Sequence, residues 1–262
     1  MKKIICLFFP VLLLSILSCK KDSSKTSTVL SSDTATKPLS TATTLTFSGY
    51  TWTIKDSGTA TAGPGPNNWA AANAFVDANG YLHLKLTKAS GKWYCAEVTS
   101  TQNFGYGTYQ WNVEGRIDTL DKNVVFGMFN YSGDDGRDEM DIEYSKFGSA
   151  TANNTNFTIY PAQTVTSTAD WHTTYNTSLT DGTYTTQRFK RNSATSVYFQ
   201  ELGGFQTDNT NQITSATCSN PPNSISTLAM PVHMNLWLFQ GNAPVNNSPV
   251  EIIIHSFTFT AL

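Results

Sequence analysis

Apolar and polar residues alternate with a period of two in several short runs of the chain. In the run Tyr81–Leu86 the leucines point one way, whereas Tyr81, His83 and Lys85 point the other way. Turn-forming Gly, Asn, Asp and Pro residues separate these runs, and no stretch keeps a helical period. The pattern predicts an all-β domain, a sandwich or jelly roll, with strands at 81–86, 107–113, 124–131, 139–144, 156–160, 196–200, 232–239 and 251–259.

The first 19 residues have a different pattern. Lys2 and Lys3 precede the apolar run Ile4–Leu17, which is too short for an ordinary transmembrane helix and is typical of a signal peptide. The run ends in Ile16-Leu-Ser-Cys19, which resembles the lipobox of bacterial lipoproteins. The resemblance implies lipidation of Cys19 and an anchor in the outer membrane of a bacterial envelope, periplasmic or surface-exposed. A secretory signal with an incidental cysteine is the alternative.

A segment rich in serine and threonine follows the signal. Residues 23–46 contain 14 Ser or Thr among 24 residues. Such a segment cannot bury enough apolar surface to offset the entropy lost on ordering. We therefore interpret residues 20–45 as a flexible tether and residues 46–262 as one β domain, which we expect to be monomeric.

Composition narrows the range of ligands. The 262 residues carry a formal charge of −2 and only 14% are charged, which argues against nucleic acid as a partner because no basic stripe is available for phosphates. The four histidines are scattered and the HExxH motif is absent, so we expect no metal site. Cys95 and Cys218, downstream of the signal, are a candidate disulfide in an oxidising envelope, with two buried thiols as the alternative.

Three acidic residues alternate with apolar ones in Asp138-Glu-Met-Asp-Ile-Glu-Tyr144. On a strand, Glu139, Asp141 and Glu143 share one face, where their mutual repulsion does nothing for the fold. Retaining glycosidases need two carboxyl groups about 5–5.5 Å apart. The side chains of Glu139 and Glu143 can lean toward each other over Asp141, and a third acid between them separates the pKa values of the set. An acidic, solvated strand edge is the alternative.

The surrounding sequence resembles glycoside hydrolase family 16. The segments that match in order and spacing are Tyr106–Val113, Phe126–Tyr131, Glu139–Glu143, Met230–Trp237 and Val250–Phe257. The resemblance covers nearly all of residues 46–262 and implies a concanavalin A-like β jelly roll, a sandwich of two curved antiparallel sheets. It also implies retaining cleavage or transfer within β-linked glucans or galactans. The spacing of the three acids looks like that of the lichenase and xyloglucan-transferase branch.

The resemblance also implies roles for individual residues. Carried over by position, Glu139 is the nucleophile, Asp141 its hydrogen-bonding helper and Glu143 the acid/base. Alternation turns Asn235 and Trp237 away from the core, and both match family positions that contact sugar. The remaining matches to substrate-binding positions of the family are Gln110, Asn112, Phe129, Tyr131, Thr158 and Tyr160.

Two departures from the family pattern bear on substrate and metal. Lichenases carry a tryptophan just before the catalytic strand, where this chain has Arg137 and Asp138, so the choice of substrate is in question. Many relatives have an aspartate that helps to bind a structural calcium where His255 stands, and a neutral imidazole is a poor ligand for this hard cation. We therefore expect no cofactor, and a structural calcium is doubtful.

Together these features predict a lipid-anchored, jelly-roll glycosidase that cuts internal bonds of a β-linked polysaccharide. A β-1,3/1,4-glucan is favoured as substrate over a galactan. The alternative is a non-catalytic surface protein that binds glycan for neighbouring transport or degradation machinery. The intact acid triad favours the enzyme, whereas the missing tryptophan and the altered calcium position favour the binding protein.

The lipidation prediction is tested by Cys19→Ala. Because lipid would supply the attachment and the tether adds little apolar area, this variant should move from the membrane fraction to the soluble fraction. Cys6→Ala removes another cysteine of the same leader and should leave the protein with the membranes. Retention of the Cys19→Ala variant in membranes would show that something other than lipid on Cys19 holds the protein.

Overall fold

The computed structural model describes residues 43–180 and 182–262, which contain sixteen strands and three short 3₁₀ turns. The strands are β1 (Thr44–Phe47), β2 (Tyr50–Ile54), β3 (Asn68–Trp69), β4 (Ala74–Val76), β5 (Leu82–Ala89), β6 (Lys92–Phe104), β7 (Gly107–Glu114), β8 (Val124–Tyr131), β9 (Glu139–Tyr144), β10 (Thr155–Tyr160), β11 (Trp171–Tyr175), β12 (Tyr184–Ser193), β13 (Ser196–Gly203), β14 (Gln212–Ser219), β15 (Met230–Leu238) and β16 (Val250–Ala261). The 3₁₀ turns are Ala71–Asn73, Ile117–Thr119 and Phe239–Gly241.

The strands form two layers joined by one hairpin. The first layer has the strand order β11-β10-β9-β8-β15-β6, and β2 pairs with β6 as well. The second layer has the order β5-β16-β7-β12-β13-β14. The hairpin of β5 and β6 connects the two layers through the pairs Thr87–Tyr94 to Ala89–Lys92. Apart from the short β3, which runs parallel to β6, all pairings are antiparallel.

The inner faces of the two layers pack into one core rich in aromatic side chains. Phe157 of the first layer stacks on Phe199 of the second layer, with ring centroids 5.1 Å apart. The Tyr144 hydroxyl donates a hydrogen bond of 2.7 Å to Gln187 Oε1 across the same interface. The predicted all-β sandwich of two curved antiparallel sheets is therefore confirmed, and the core accounts for many of the aromatic residues.

The period-two pattern located some strands better than others. Strands β8 and β9 have the predicted bounds, whereas the longest strand, β6, was not predicted. The four consecutive residues Cys95–Val98 are all buried, so β6 lacks the alternation on which the prediction depended. None of the described helical segments has the length and apolar character of a membrane span.

The predicted leader, Cys19 and nearly all of the tether lie outside the described residues. The tether prediction extended two residues too far, because β1 begins at Thr44. Leu45 is partly buried and packs against the core. This burial gives Leu45 a place in the domain rather than in the linker.

The two cysteines of the domain are free and buried, so the disulfide prediction is wrong. Cys95 lies in β6, at the hairpin side of the sandwich, and Cys218 lies in β14. Strand β14 is at the opposite side, where Ser215 O accepts a hydrogen bond from Tyr175 OH of β11. Five strand spacings, roughly 24 Å, separate the two sides, whereas a disulfide requires Cα atoms less than about 7 Å apart.

Candidate active site

A cleft of about 890 Å³ crosses the outer face of the first layer. All six main strands of that layer line it, and so does the segment Gly63–Gly65. Strand β9 is third from the β11 edge, so the cleft extends across neighbouring strands on both sides of its carboxyl groups.

The pleat of β9 turns its three acidic residues into the cleft and its apolar residues into the core. Met140 and Ile142 are fully buried beneath the sheet. Glu139 and Glu143 are half-buried on the cleft floor, and Asp141 between them is only 3% exposed. The structure therefore brings together the three acids that the alternation predicted.

Neighbouring strands place polar and aromatic side chains on both sides of each acid. Glu139 is paired with Tyr160 of β10 and Tyr131 of β8, which flank it in the cleft. In the same way Asp141 is paired with Thr158 and Phe129, and Glu143 with Asn156 and Gly127. The carboxyl groups thus lie in a trough between side chains of β8 and β10.

This burial and the mutual repulsion raise the pKa of every acid in the set. Burial, and next the charge of Glu143, raise the pKa of Glu139 to about 8. Burial raises the pKa of Glu143 to about 7. Burial and the two flanking carboxylates raise the pKa of Asp141 well above its ordinary value, and Asp141 shares a hydrogen bond with Glu139. Protons leave such a set in steps that belong to the whole group, so the set as a whole still holds protons at neutral pH.

Glycine at position 127 allows a close approach of Asn235 from β15. A Cβ atom on Gly127 would lie 2.6 Å from Asn235 Oδ1, so the amide side chain lies directly over β8. Asn235 is 3% exposed, and its Oδ1 has no hydrogen-bond partner among the described residues. A buried acceptor without a partner is costly. Here it lies two strand spacings from Glu143, with β8 between them, where a bound molecule can donate to it.

A second group of charged side chains was missed by the sequence reasoning. Glu97 of β6 is buried, and its Oε2 accepts a hydrogen bond of 3.0 Å from Lys55 Nζ. Its Oε1 lies 3.3 Å from His233 Nδ1. Burial alone would raise the pKa of Glu97. The hydrogen bond with His233 and the charge of Lys55 nevertheless hold this pKa below its ordinary value. The signal in the sequence was weak because β6 does not alternate.

Six of the eight predicted substrate-binding residues lie in the cleft, although their contact with a substrate stays a prediction. These six are Phe129, Tyr131, Thr158, Tyr160, Asn235 and Trp237. Trp237 is 8% exposed, and its Nε1 has no partner among the described residues.

Gln110 and Asn112 were wrongly predicted to line the cleft. Both project from β7 on the outer face of the second layer, away from the core and from the cleft. Gln110 Oε1 accepts a 2.6 Å hydrogen bond from Arg188 Nη2, and Asn112 Oδ1 accepts one of 3.2 Å from Thr186 Oγ1. The period of two correctly turned these side chains outward, but it could not tell which layer β7 joins.

The segment before β9 also borders the cleft. Asp135 and Gly136 line it, and Tyr131 OH donates a 2.6 Å hydrogen bond to Asp135 Oδ1. Arg137 points away from the acids and donates to the backbone oxygens of Val165 and Ser167 at 3.1 and 2.6 Å. Arg137 therefore holds an adjacent loop and does not replace an aromatic sugar-stacking side chain.

The described residues contain no group of three or more His, Cys, Asp or Glu side chains arranged to hold a metal ion. His255, at the position discussed for calcium, has its Nε2 2.6 Å from Glu114 Oε2. The expectations about calcium and cofactors stay predictions.

No protein-family profile matches the chain. A β-glucanase of Paenibacillus polymyxa is 36% identical over 80 residues, which are 29% of this chain and 32% of that protein. The chain thus spans about a third of the length of this relative. The structure of Bacillus licheniformis β-glucanase superposes with a TM-score of 0.59 at 22% identity, covering 80% of this chain and 92% of that one. A family 16 endo-glucanase of Bacteroides ovatus does so with a TM-score of 0.58 at 15% identity, covering 80% and 94%. The chain therefore has the fold of family 16 glycoside hydrolases.

The raised pKa values predict that stability falls with rising pH. Between the ordinary value of 4.5 and about 8, the folded protein binds more protons at Glu139 and Glu143 than the unfolded chain does, so the free energy of unfolding decreases as pH rises. We expect Tm to drop by roughly 5 °C or more from pH 5 to pH 8 in thermal melts.

The double variant Glu139→Gln/Glu143→Gln is the matched comparison. It should lose a large part of this pH dependence, and Asp141 and Glu201, whose pKa values burial also raises, account for what remains. An equal Tm at both pH values in the unmodified protein, or an unchanged slope in the double variant, would contradict the assignment.

Proposed function

We propose that the protein is an endo-acting glycoside hydrolase that cleaves a neutral β-linked polysaccharide with retention of configuration. The observation that carries the proposal is the cleft with Glu139, Asp141 and Glu143 side by side on its floor, in a fold shared with β-glucanases. The cleft continues on both sides of β9. A glycan chain can therefore extend in both directions from the acids, which favours internal bonds over chain ends.

In the first chemical step Glu139 attacks the anomeric carbon, and Glu143 donates its proton to the leaving glycosidic oxygen. A covalent glycosyl–enzyme results. In the second step Glu143 removes a proton from water, the water oxygen attacks the anomeric carbon, and the bond to Glu139 breaks. The raised pKa of Glu143 supports its action as the acid, because the carboxyl group keeps a proton close to neutral pH.

Asp141 acts on the nucleophile. Its own pKa is raised well above the ordinary value by burial and by two neighbouring carboxylates. A protonated Asp141 donates a hydrogen bond to Glu139, and this bond lowers the pKa of Glu139 relative to the effect of burial alone. Burial leaves the pKa of Glu139 above that of Glu143, but the three groups titrate as one set. The reactive state is the one in which Glu139 is anionic and Glu143 is protonated, and the hydrogen bond from Asp141 favours that state.

The charges that line the cleft favour a neutral substrate. Among the described residues, Lys55 is the one lysine that lines the cleft. Its ammonium group already forms an ion pair with Glu97. The acids Glu97, Asp135, Glu139 and Asp170 face the same cleft. Sulfate or carboxylate groups on a polysaccharide would therefore be repelled. A β-1,3/1,4-glucan is favoured because the relatives that share sequence and fold are named β-glucanases, and a neutral galactan is the second choice.

The proposed localisation rests on the signal-like leader and the lipobox-like segment that ends at Cys19. We place the enzyme in the bacterial envelope, attached to the outer membrane through lipid on Cys19, where extracellular or periplasmic polysaccharide can reach the cleft. A non-catalytic glycan-binding protein with the same fold is the competing function, and the next experiment separates the two.

Glu139→Gln should lower turnover by a factor on the order of 1,000 or more, because the amide cannot form the glycosyl–enzyme. Glycan binding should persist, since the change is isosteric. Release of reducing ends from a panel of polysaccharides measures turnover, and affinity electrophoresis measures binding. Glu251→Gln, an exposed glutamate of the second layer, is the control and should retain full activity. Ordinary activity of the Glu139→Gln variant would contradict the nucleophile assignment, and binding without turnover by the unmodified protein would favour the binding-protein alternative.

The stereochemistry of the product gives an independent test. Two displacements at the anomeric carbon invert its configuration twice, so the first product should be the β anomer. Proton NMR of fresh digests should show β first, with α growing only at the rate of mutarotation. An α anomer as the initial product would indicate an inverting site and would remove the nucleophile role from Glu139.

A further inference from the structure

His233 occupies the cleft face of β15, beside the aromatic side chains of β8. Its ring stacks on Phe129 with centroids 4.8 Å apart and planes 18° from parallel. Tyr131 meets the same ring edge-on at 5.9 Å. The histidine side chain is 12% exposed and belongs to the lining of the cleft. These two contacts hold the imidazole plane in one orientation.

The surroundings of Nδ1 indicate which ring nitrogen carries the proton. Nδ1 lies 3.3 Å from Glu97 Oε1 and 3.0 Å from Thr99 Oγ1. Glu97 is an anion that is also bound by Lys55, so it can only accept hydrogen bonds. A lone pair on Nδ1 would face this carboxylate unfavourably, whereas an N–H group can donate to it. In its neutral form the imidazole therefore carries its proton on Nδ1, and Nε2 holds the lone pair.

Nε2 is left without a hydrogen-bond partner among the described residues, on a ring that lines the cleft. We propose that His233 Nε2 accepts a hydrogen bond from a hydroxyl group of the polysaccharide and is a substrate-binding residue of this chain. The inference rests on the proposed function, because it names a further contact in the same cleft.

The position of His233 predicts which kinetic constant it affects. His233 pairs with Phe129 across β15 and β8, and Phe129 pairs with Asp141 across β8 and β9. Two strand spacings, roughly 10 Å, therefore separate the imidazole from the reacting acids. The hydroxyl group that it binds belongs to a sugar beside the one that is cleaved. Its contact exists before and during bond breaking alike, so its loss should raise KM and leave kcat nearly unchanged.

Two isosteric substitutions separate the two nitrogens. His233→Asn places an amide nitrogen near the position of Nδ1, retains the donor to Glu97 and removes Nε2. His233→Gln places amide atoms near the position of Nε2, including an oxygen that can accept. Thr99→Val is the control, because Thr99 contacts Nδ1 without belonging to the cleft lining. The kinetics of the full chain on a mixed-linkage β-1,3-1,4-glucan are measured for all three, and calorimetry compares binding of its oligosaccharides to Glu139→Gln and to Glu139→Gln/His233→Asn.

We expect KM of His233→Asn to rise about tenfold with kcat within about twofold, as for one lost hydrogen bond. The Kd in the Glu139→Gln background should rise by a similar factor. His233→Gln should recover most of the loss, and Thr99→Val should stay within about twofold of the unmodified protein.

A His233→Asn variant with unchanged KM overturns the proposal, as does a His233→Gln variant that is as impaired as His233→Asn. A fall in kcat with KM unchanged also overturns it. These outcomes leave the proposed function intact when the unmodified protein cleaves the glucan. If the unmodified protein cleaves no polysaccharide and Glu139→Gln binds none, the proposed function fails and the assignment of His233 fails with it.

Discussion

The two-sided pleat of β9 is the constraint on which the site depends. One face of this six-residue strand carries three acids, and the other face is fixed in the core by Met140, Ile142 and Tyr144. Tyr144 is tied to the second layer by its 2.7 Å hydrogen bond to Gln187. Because a shift in register by one residue would bury the acids and expose the apolar side chains, this anchoring also fixes where the carboxyl groups lie. The repulsion among them is tolerated at that position because the core side of the strand is firmly packed.

The cleft contains two kinds of carboxyl group, whose surroundings shift their pKa values in opposite directions. Burial raises the pKa values of Glu139, Asp141 and Glu143, and neighbouring carboxylates raise those of Glu139 and Asp141 further. No cation of the described residues is in direct contact with them. Glu97 is also buried, but the hydrogen bond with His233 and the charge of Lys55 hold its pKa below the ordinary value. The first set can hold and release protons near neutral pH. The second is a permanent anion that orients the groups around it. Acidic residues can thus exchange protons in one part of the cleft and orient neighbouring side chains in another.

The errors of the sequence reasoning have a common physical origin. Gln110 and Asn112 do point outward from their strand, but β7 joins the layer that lacks the cleft. The cysteines Cys95 and Cys218 lie in strands on opposite sides of the sandwich. In each case the local pattern was interpreted correctly, and the error came from which strands are neighbours. A pattern of period two reports the two faces of one strand and carries no information about strand order.

The sequence by itself determined the all-β class, the bounds of β8 and β9, and the placement of three acids on one strand face. These properties are local, since they follow from alternation and from turn residues within a few positions of one another. Only the tertiary structure decided that Glu97, 42 residues before Glu139 in the chain, lies in the same cleft as the acids. It also decided that Lys55 and His233 meet at that glutamate, and that Gly127 leaves room for Asn235. These arrangements depend on contacts between residues far apart in sequence, which form only when the strands have paired in their final order.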